Sequence, residues 1–299
     1  MRFLTGAPAL LLRNSRKTEC GAKQFLACLG GRAAPFALLI ALWLVPERLA
    51  PGQSGPGPSM KAPAQAAVPA HQPSAASLPT GQGKEKLTYA VEWRLIRAGI
   101  VTVEKDAHQA TMHLESAGIV STLFRIQDVY TVNYEDATCA TSSVMDSMER
   151  ERHHETRVTY DRSRNHATFI ERDLIANTVL KETGTDIPNC VADTLGAFTK
   201  LRSMNLGVGQ STQIAVSDGR KSALVKVTGQ EHEGIKTPSG MYQTIRYSAD
   251  LMNNVVYSRK GEVFLWLSDD ARRLPVQIRI KTSWPISTVT LDLEKEEYP

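Results

Sequence analysis

From Lys86 onward, apolar and polar residues alternate with period two. Tyr89, Val91, Trp93 and Leu95 alternate with Thr88, Glu92 and Arg94. Val276, Ile278 and Ile280 alternate with Gln277, Arg279 and Lys281, and Val289, Leu291 and Leu293 with Thr288, Thr290 and Asp292. Ala223, Val225 and Val227 face away from Lys226 and Thr228. Successive side chains of a strand point to opposite faces, so each segment predicts a strand with one apolar and one wet face. That pattern belongs to antiparallel sheets, which need burial on one side only. Val263-Phe-Leu-Trp-Leu267 is apolar on both faces, so it is buried on both sides or lines a cavity. Turn sequences separate the strands: Ala98-Gly99, Asp161 to Asn165, Ser217 to Arg220, Pro238-Ser-Gly240 and Ser268 to Ala271. They divide the region into about ten strands.

One segment breaks the alternation. Pro188 to Asn205 places Val191, Leu195, Phe198 and Leu201 at helical spacing, with Asn189 available as a cap and Gly207 just past the end. The expected fold is mainly β: a strongly curved antiparallel sheet or half-barrel of about ten strands, with one central α-helix on its concave side. Two small packed sheets are the alternative.

Charge divides the chain differently. Residues 1–83 hold eight of the 35 Lys and Arg and two of the 31 acids, a net +6, which leaves a net −2 for residues 84–299. The overall basicity therefore belongs to the N-terminal segment, and the β region lacks the basic face of a nucleic-acid binder. Arg150, Arg152, Arg157, Arg162 and Arg164 are interleaved with Glu149, Glu151, Glu155 and Asp161, as on a solvated strand face. Ahead of the β region, Ala33 to Val45 forms a thirteen-residue apolar run behind a basic stretch. As a helix it would rise about 20 Å, against about 30 Å of bilayer hydrocarbon. This is the length of a signal-peptide core. Residues 1–50 thus read as an export signal or a retained inner-membrane anchor. Residues 51–85, rich in Pro, Ala, Ser and Gly, read as a tether too polar to form a core. Residues 86–299 read as one domain outside the cytoplasm, in the periplasm or cell envelope, touching the membrane only through the N-terminal segment.

Of the four cysteines, Cys20 and Cys28 precede the apolar run and stay on its cytoplasmic side. The run follows Cys28 instead of preceding it, which argues against lipidation there. Cys139 and Cys190 lie in the exported domain, where two cysteines read as one disulfide; the alternative is two separate buried thiols.

No catalytic motif emerges. There is no Gly-x-Ser-x-Gly elbow, no Ser-x-x-Lys set and no phosphate-binding glycine loop. His153 and His154 are adjacent, and adjacent strand side chains cannot share one ion. Neither a metal nor a cofactor is expected. Asp269 and Asp270 read as turn carboxylates bonding turn amides. Trp93, Phe124, Phe198, Trp266 and Trp284 are core aromatics, or else line an apolar cavity between a curved sheet and its helix. On the second reading, Trp93, Phe124, Phe198 and Trp266 are the candidate ligand contacts.

The order of several signatures resembles a known family. These are Leu87-Thr-Tyr-Ala-Val-Glu-Trp93 leading to Ala98-Gly99, Cys-x-x-Asp-Thr-Leu at Cys190 to Leu195, Thr237-Pro-x-Gly240, and Trp266-Leu-Ser-Asp-Asp-x-Arg-Arg-Leu-Pro275. Together they resemble the bacterial domain of unknown function family 3108, over roughly residues 86–295. Thr194-Leu195-Gly196 stands where that family often has serine followed by a small residue. The resemblance implies an exported β-rich domain and assigns no catalytic residues. The architecture is also similar to periplasmic half-barrels that carry lipoproteins or lipids, although fold alone does not fix function. The expected function is a non-catalytic envelope module that binds a lipid-like or other apolar ligand. The alternative is a structural or assembly module with an envelope protein partner; a hydrolase is the third reading.

Overall fold

The computed structural model describes residues 83–283 and 288–298 of the 299-residue chain. The export segment, nearly all of the tether and Trp284 lie outside the described residues. Within them the chain forms β1 (Glu85–Trp93), β2 (Ile96–Lys105), β3 (Gln109–Ser116), α1 (Gly118–Leu123), β4 (Ile126–Tyr134), β5 (Ala140–Glu149), β6 (Arg152–Asp161), β7 (His166–Asp173) and β8 (Thr178–Asp186). After α2 (Thr194–Ser203) come β9 (Ser211–Ser217), β10 (Ser222–Thr237), β11 (Gly240–Ala249), β12 (Gly261–Ser268), β13 (Pro275–Thr282) and β14 (Thr288–Glu297).

All strands join one antiparallel sheet in the order β8-β7-β6-β5-β4-β3-β2-β1-β14-β13-β12-β11-β10-β9. Two runs of hairpins are fused where β1 pairs with β14, with Tyr89 opposite Leu293 and Val91 opposite Leu291. This corrects the expectation in two respects. There are fourteen strands instead of about ten, and two helices among the described residues instead of one. Strands with little alternation are the hardest to count from the chain. β8 is the clearest case, since all but two of its residues are exposed. The sheet is also single, not two packed sheets.

The sheet does not close, because β8 and β9 are its two edges. It nevertheless brings strands from opposite ends together. The Tyr160 hydroxyl on β6 donates to the Ser217 carbonyl at 3.3 Å, and Arg220 lies 5.2 Å over the Phe169 ring of β7. Gly219 fits this contact for two reasons. Its φ of +82° suits glycine, and a Cβ there would stand 2.5 Å from Val158 on β6.

The two larger core clusters lie on the helix-bearing face of the sheet. Tyr89, Val91, Val225, Val227, Leu265, Leu291 and Leu293 share one buried cluster with Ala197 and Leu201 of α2. A second cluster gathers Val132, Tyr134, Val158, Phe169 and Val191. Two local expectations change. Ala98-Gly99 lies inside β2, and the turn before it is made by Arg94 and Leu95, both at positive φ. The expected helix over 188–205 begins at Thr194 instead. The residues before it are held extended: Cys190 is bonded to Cys139, the Ala140 amide donates to the Val191 carbonyl, and Ala192 pairs with β9. Asn189 does not cap the helix; its side chain accepts from Arg162.

Candidate ligand cavity

The sequence Cys-x-x-Asp places Asp193 immediately after the disulfide and the extended bridge. Its backbone is extended, and its side chain caps α2. Each carboxylate oxygen takes one amide and one phenol. Oδ1 accepts from Gly196 N at 2.8 Å and Tyr134 Oη at 2.9 Å; Oδ2 accepts from Leu195 N at 3.0 Å and Tyr130 Oη at 3.0 Å. Tyr130 and Tyr134 point the same way because they are four apart on β4, an even separation. Gly196 permits the close approach, since a Cβ there would stand 3.0 Å from the Thr138 carbonyl and from the Tyr134 ring.

The rest of the helix is tied to the other half of the sheet. Thr194 Oγ1 and Tyr257 Oη lie 2.6 Å apart. Arg202 makes a two-pronged contact with Glu85 of β1 at 2.6 and 2.8 Å, and its Nε donates to the Arg273 carbonyl. Past the helix, the Tyr247 hydroxyl donates to the Leu206 carbonyl at 2.6 Å.

Between α2 and the sheet a cavity of about 210 Å³ remains. Leu195 and Phe198 line it from the helix. Val101, Leu114, Met145, Ile278 and Leu291 line it from the strands, and Glu85, Lys105 and Arg202 also contribute. The lining is mostly apolar because these are the inward positions of alternating strands. Asp128 on β4 also lines it.

The four candidate aromatics separate. Phe198 lines the cavity. Trp266 does not: it lies buried in a small cluster with Ile235 and Val276, its Nε1 donates to Glu233, and Arg279 stacks 4.9 Å above its ring. The even-numbered residues of β12 take the face away from the helix, where Trp266 and Ser268 are buried, Phe264 is half-buried and Glu262 is exposed. Phe124 follows α1 and sits beneath the Arg150 guanidinium at 4.3 Å. Trp93 packs half-buried at the end of β1, beyond a register shift after Val91. Trp93, Phe124 and Trp266 are therefore placed outside the cavity that Phe198 lines.

A family model for proteins of unknown function, DUF3108, matches residues 88–294. The chain belongs to the DUF3108 family. None of the curated proteins matches it. Among solved structures, a β-barrel-like DUF1849 protein from Brucella abortus is 9% identical with a TM-score of 0.48, over 73% of this chain and 99% of that one. A DUF1089 protein from Pseudomonas aeruginosa is 15% identical with a TM-score of 0.36, over 62% and 90%. A Bacteroides fragilis protein described as exported, with a YmcC-like fold, is 11% identical with a TM-score of 0.25, over 73% and 95%. Likenesses this distant say nothing of what the DUF3108 chain does.

The titratable groups of this DUF3108 domain follow burial. Tyr130, Tyr134 and Tyr160 are pushed well above the usual phenol range by desolvation, so all three stay protonated and donate. Burial raises the Asp193 carboxyl, and its four donors oppose that shift. Burial also raises Asp128, to about 7; Ser147 opposes the shift, donating to Oδ1 at 2.7 Å. Lys105 is lowered by burial.

Other candidate groups take ordinary places. His153 meets Asp146 at 2.9 Å, while His154 lies 3.7 Å from Glu171, so the neighbours serve different faces. Among the described residues no group of His, Cys, Asp and Glu is arranged to hold a metal. Asp270 caps the β12–β13 turn, accepting from the amides of Arg272 and Arg273. In the arginine-rich stretch, Arg157 pairs with Glu155 and Arg162 with Glu135. Cys139 and Cys190 form a disulfide with Cα atoms 5.1 Å apart. Asp193 and Asp128 were the residues that sequence reasoning passed over. Asp193 had a visible signal, the Asp of the Cys-x-x-Asp-Thr-Leu signature just ahead of Leu195. Asp128 showed only as an acid at an inward strand position.

Proposed function

We propose that the β domain is a non-catalytic binding module for a small apolar ligand, held between the sheet and α2. The observation that carries this reading is the largely apolar cavity that Phe198 and Leu195 leave against the strands. Its volume sits below the roughly 300–1,000 Å³ of sites for drug-sized molecules and above the roughly 150 Å³ that holds benzene. The ligand is then a group of about six to eight carbons, or the end of a longer chain. Burying six methylenes contributes about 5 kcal/mol before the costs of ordering. The polar groups on the wall favour binding over catalysis. Asp218 is held by the amides of Arg220 and Lys221 and by the Arg220 guanidinium, and Arg202 is held by Glu85. The basic, apolar leader and the disulfide support a place outside the cytoplasm, in the periplasm or envelope.

Calorimetric titration of indole into the full chain tests the reading. Saturable binding is expected, and Phe198→Ala should change the affinity. If indole shows no saturable binding while Phe198→Ala merely lowers stability, the helix is packing alone and the reading fails.

One observation favours a second function, assembly with a protein partner. β8 is an open edge, and Ile175, Val179 and Leu180 beside or on it are 67%, 54% and 49% exposed. Such an edge is a template for strand addition. Val179→Lys would then remove a co-purifying partner seen by native mass spectrometry, and an unchanged complex would exclude the edge.

A further inference from the structure

We propose that the cavity selects an amphiphile with a short apolar chain and a cationic amine at its end, and that the amine pairs with the buried carboxylate of Asp128. This deepens the apolar-ligand reading and rests on it. β4 turns Asp128 inward, between Leu114 on β3 and Ser147 on β5. The residue is 1% exposed. Asp128 lines the cavity; its Oδ1 accepts from Ser147, and its Oδ2 is buried without a hydrogen-bond partner among the described residues. A buried acceptor left unmatched is costly, so a ligand that supplies a donor there gains the difference.

The surroundings specify the donor's charge. The charged groups acting most strongly on Asp128 are Glu149 and Asp146, both acidic. The two basic residues of the cavity wall are engaged elsewhere. Arg202 is paired with Glu85, and Lys105 Nζ donates to the Asp106 carbonyl at 3.1 Å. An alcohol would satisfy Oδ2 but leave the negative charge uncompensated. A carboxylate would add another negative charge. An ammonium group supplies both the donor and the missing positive charge, in the stronger charge-assisted form.

The test compares hexylamine, 1-hexanol and hexanoate by calorimetry on the full chain at about pH 8.5, where Asp128 is ionised and the amine still carries its proton. Hexylamine should bind at least about tenfold more tightly than 1-hexanol, with hexanoate weakest. Asp128→Asn should abolish the amine preference while 1-hexanol still binds. If that variant does not fold, the wild-type ranking alone decides. Equal binding of hexylamine and 1-hexanol to the wild type would overturn the amine assignment and leave the apolar-ligand reading standing. An amine preference that survives in Asp128→Asn would overturn the role of Asp128. Absence of saturable binding by all three, and by indole, would overturn both.

Discussion

Replacing Asp193 by alanine should loosen α2 from the sheet. The carboxylate accepts two helix amides and two phenols, at 2.8 to 3.0 Å. Loss of an N-cap costs about 1 kcal/mol. Stranding the buried Tyr134 hydroxyl and the half-buried Tyr130 hydroxyl costs about 1–3 kcal/mol each. Part of this is returned, because the buried charge itself is penalised, as the raised Asp193 pKa indicates. The net expectation is about 2–5 kcal/mol, a large share of the 5–15 kcal/mol typical of a domain. Asp193→Asn keeps one oxygen but aims an amide NH2 at two donors, so it should recover less than half of the loss. Urea unfolding followed by circular dichroism would measure these values at constant m. Tyr134→Phe alone should cost about 1 kcal/mol, and its combination with Asp193→Ala should cost less than the sum. A loss under 1 kcal/mol for Asp193→Ala, or strict additivity with Tyr134→Phe, would show that this carboxylate does not anchor the helix.

The Cys139→Ser, Cys190→Ser double variant should lose up to about 4 kcal/mol, from a sequence separation of 51 residues; unchanged urea midpoints with and without reductant would contradict this. Asp128 should make stability fall as pH rises. Its folded pKa of about 7 lies above the ordinary aspartate value of 3.8, so the folded state holds the proton more tightly between about pH 4 and 7. The contribution is at most about 4 kcal/mol across that window, at about 1.4 kcal/mol per unit. Asp128→Asn should be stabilising at pH 8 relative to pH 5; identical pH profiles for variant and wild type would sink the assignment.

What could be read from the chain was local. Alternation found β1, β10, β13 and β14, because one buried face leaves a period-two mark. Val289, Leu291 and Leu293 are indeed buried together. The Ser217 to Arg220 and Ser268 to Ala271 turns were legible because short acids bond their own turn amides. The Cys139–Cys190 disulfide followed from there being only two cysteines in the domain. β8 left no mark because an exposed edge strand buries neither face. The helix start was displaced because the backbone of Cys190 to Ala192 is committed to the disulfide and the bridge to β9, constraints that helical spacing does not reveal.

The sequence by itself therefore determined which residues share a face, and with them the antiparallel β class and the helical stripe. Only the tertiary structure decided which strands meet and which face is enclosed. β1 and β14 join the two runs of hairpins across nearly the whole domain, a pairing that no local pattern encodes. Trp266 and Leu265 are equally apolar in sequence, but the pleat sends one to each side of β12. Phe198 reaches the cavity because Asp193, Tyr130 and Tyr134 hold its helix there. Asp128 acquires its unpaired oxygen only where three strands and a curved sheet exclude water from it. Period two fixes the side on which a residue lies, while its neighbours across space depend on contacts between segments up to two hundred residues apart.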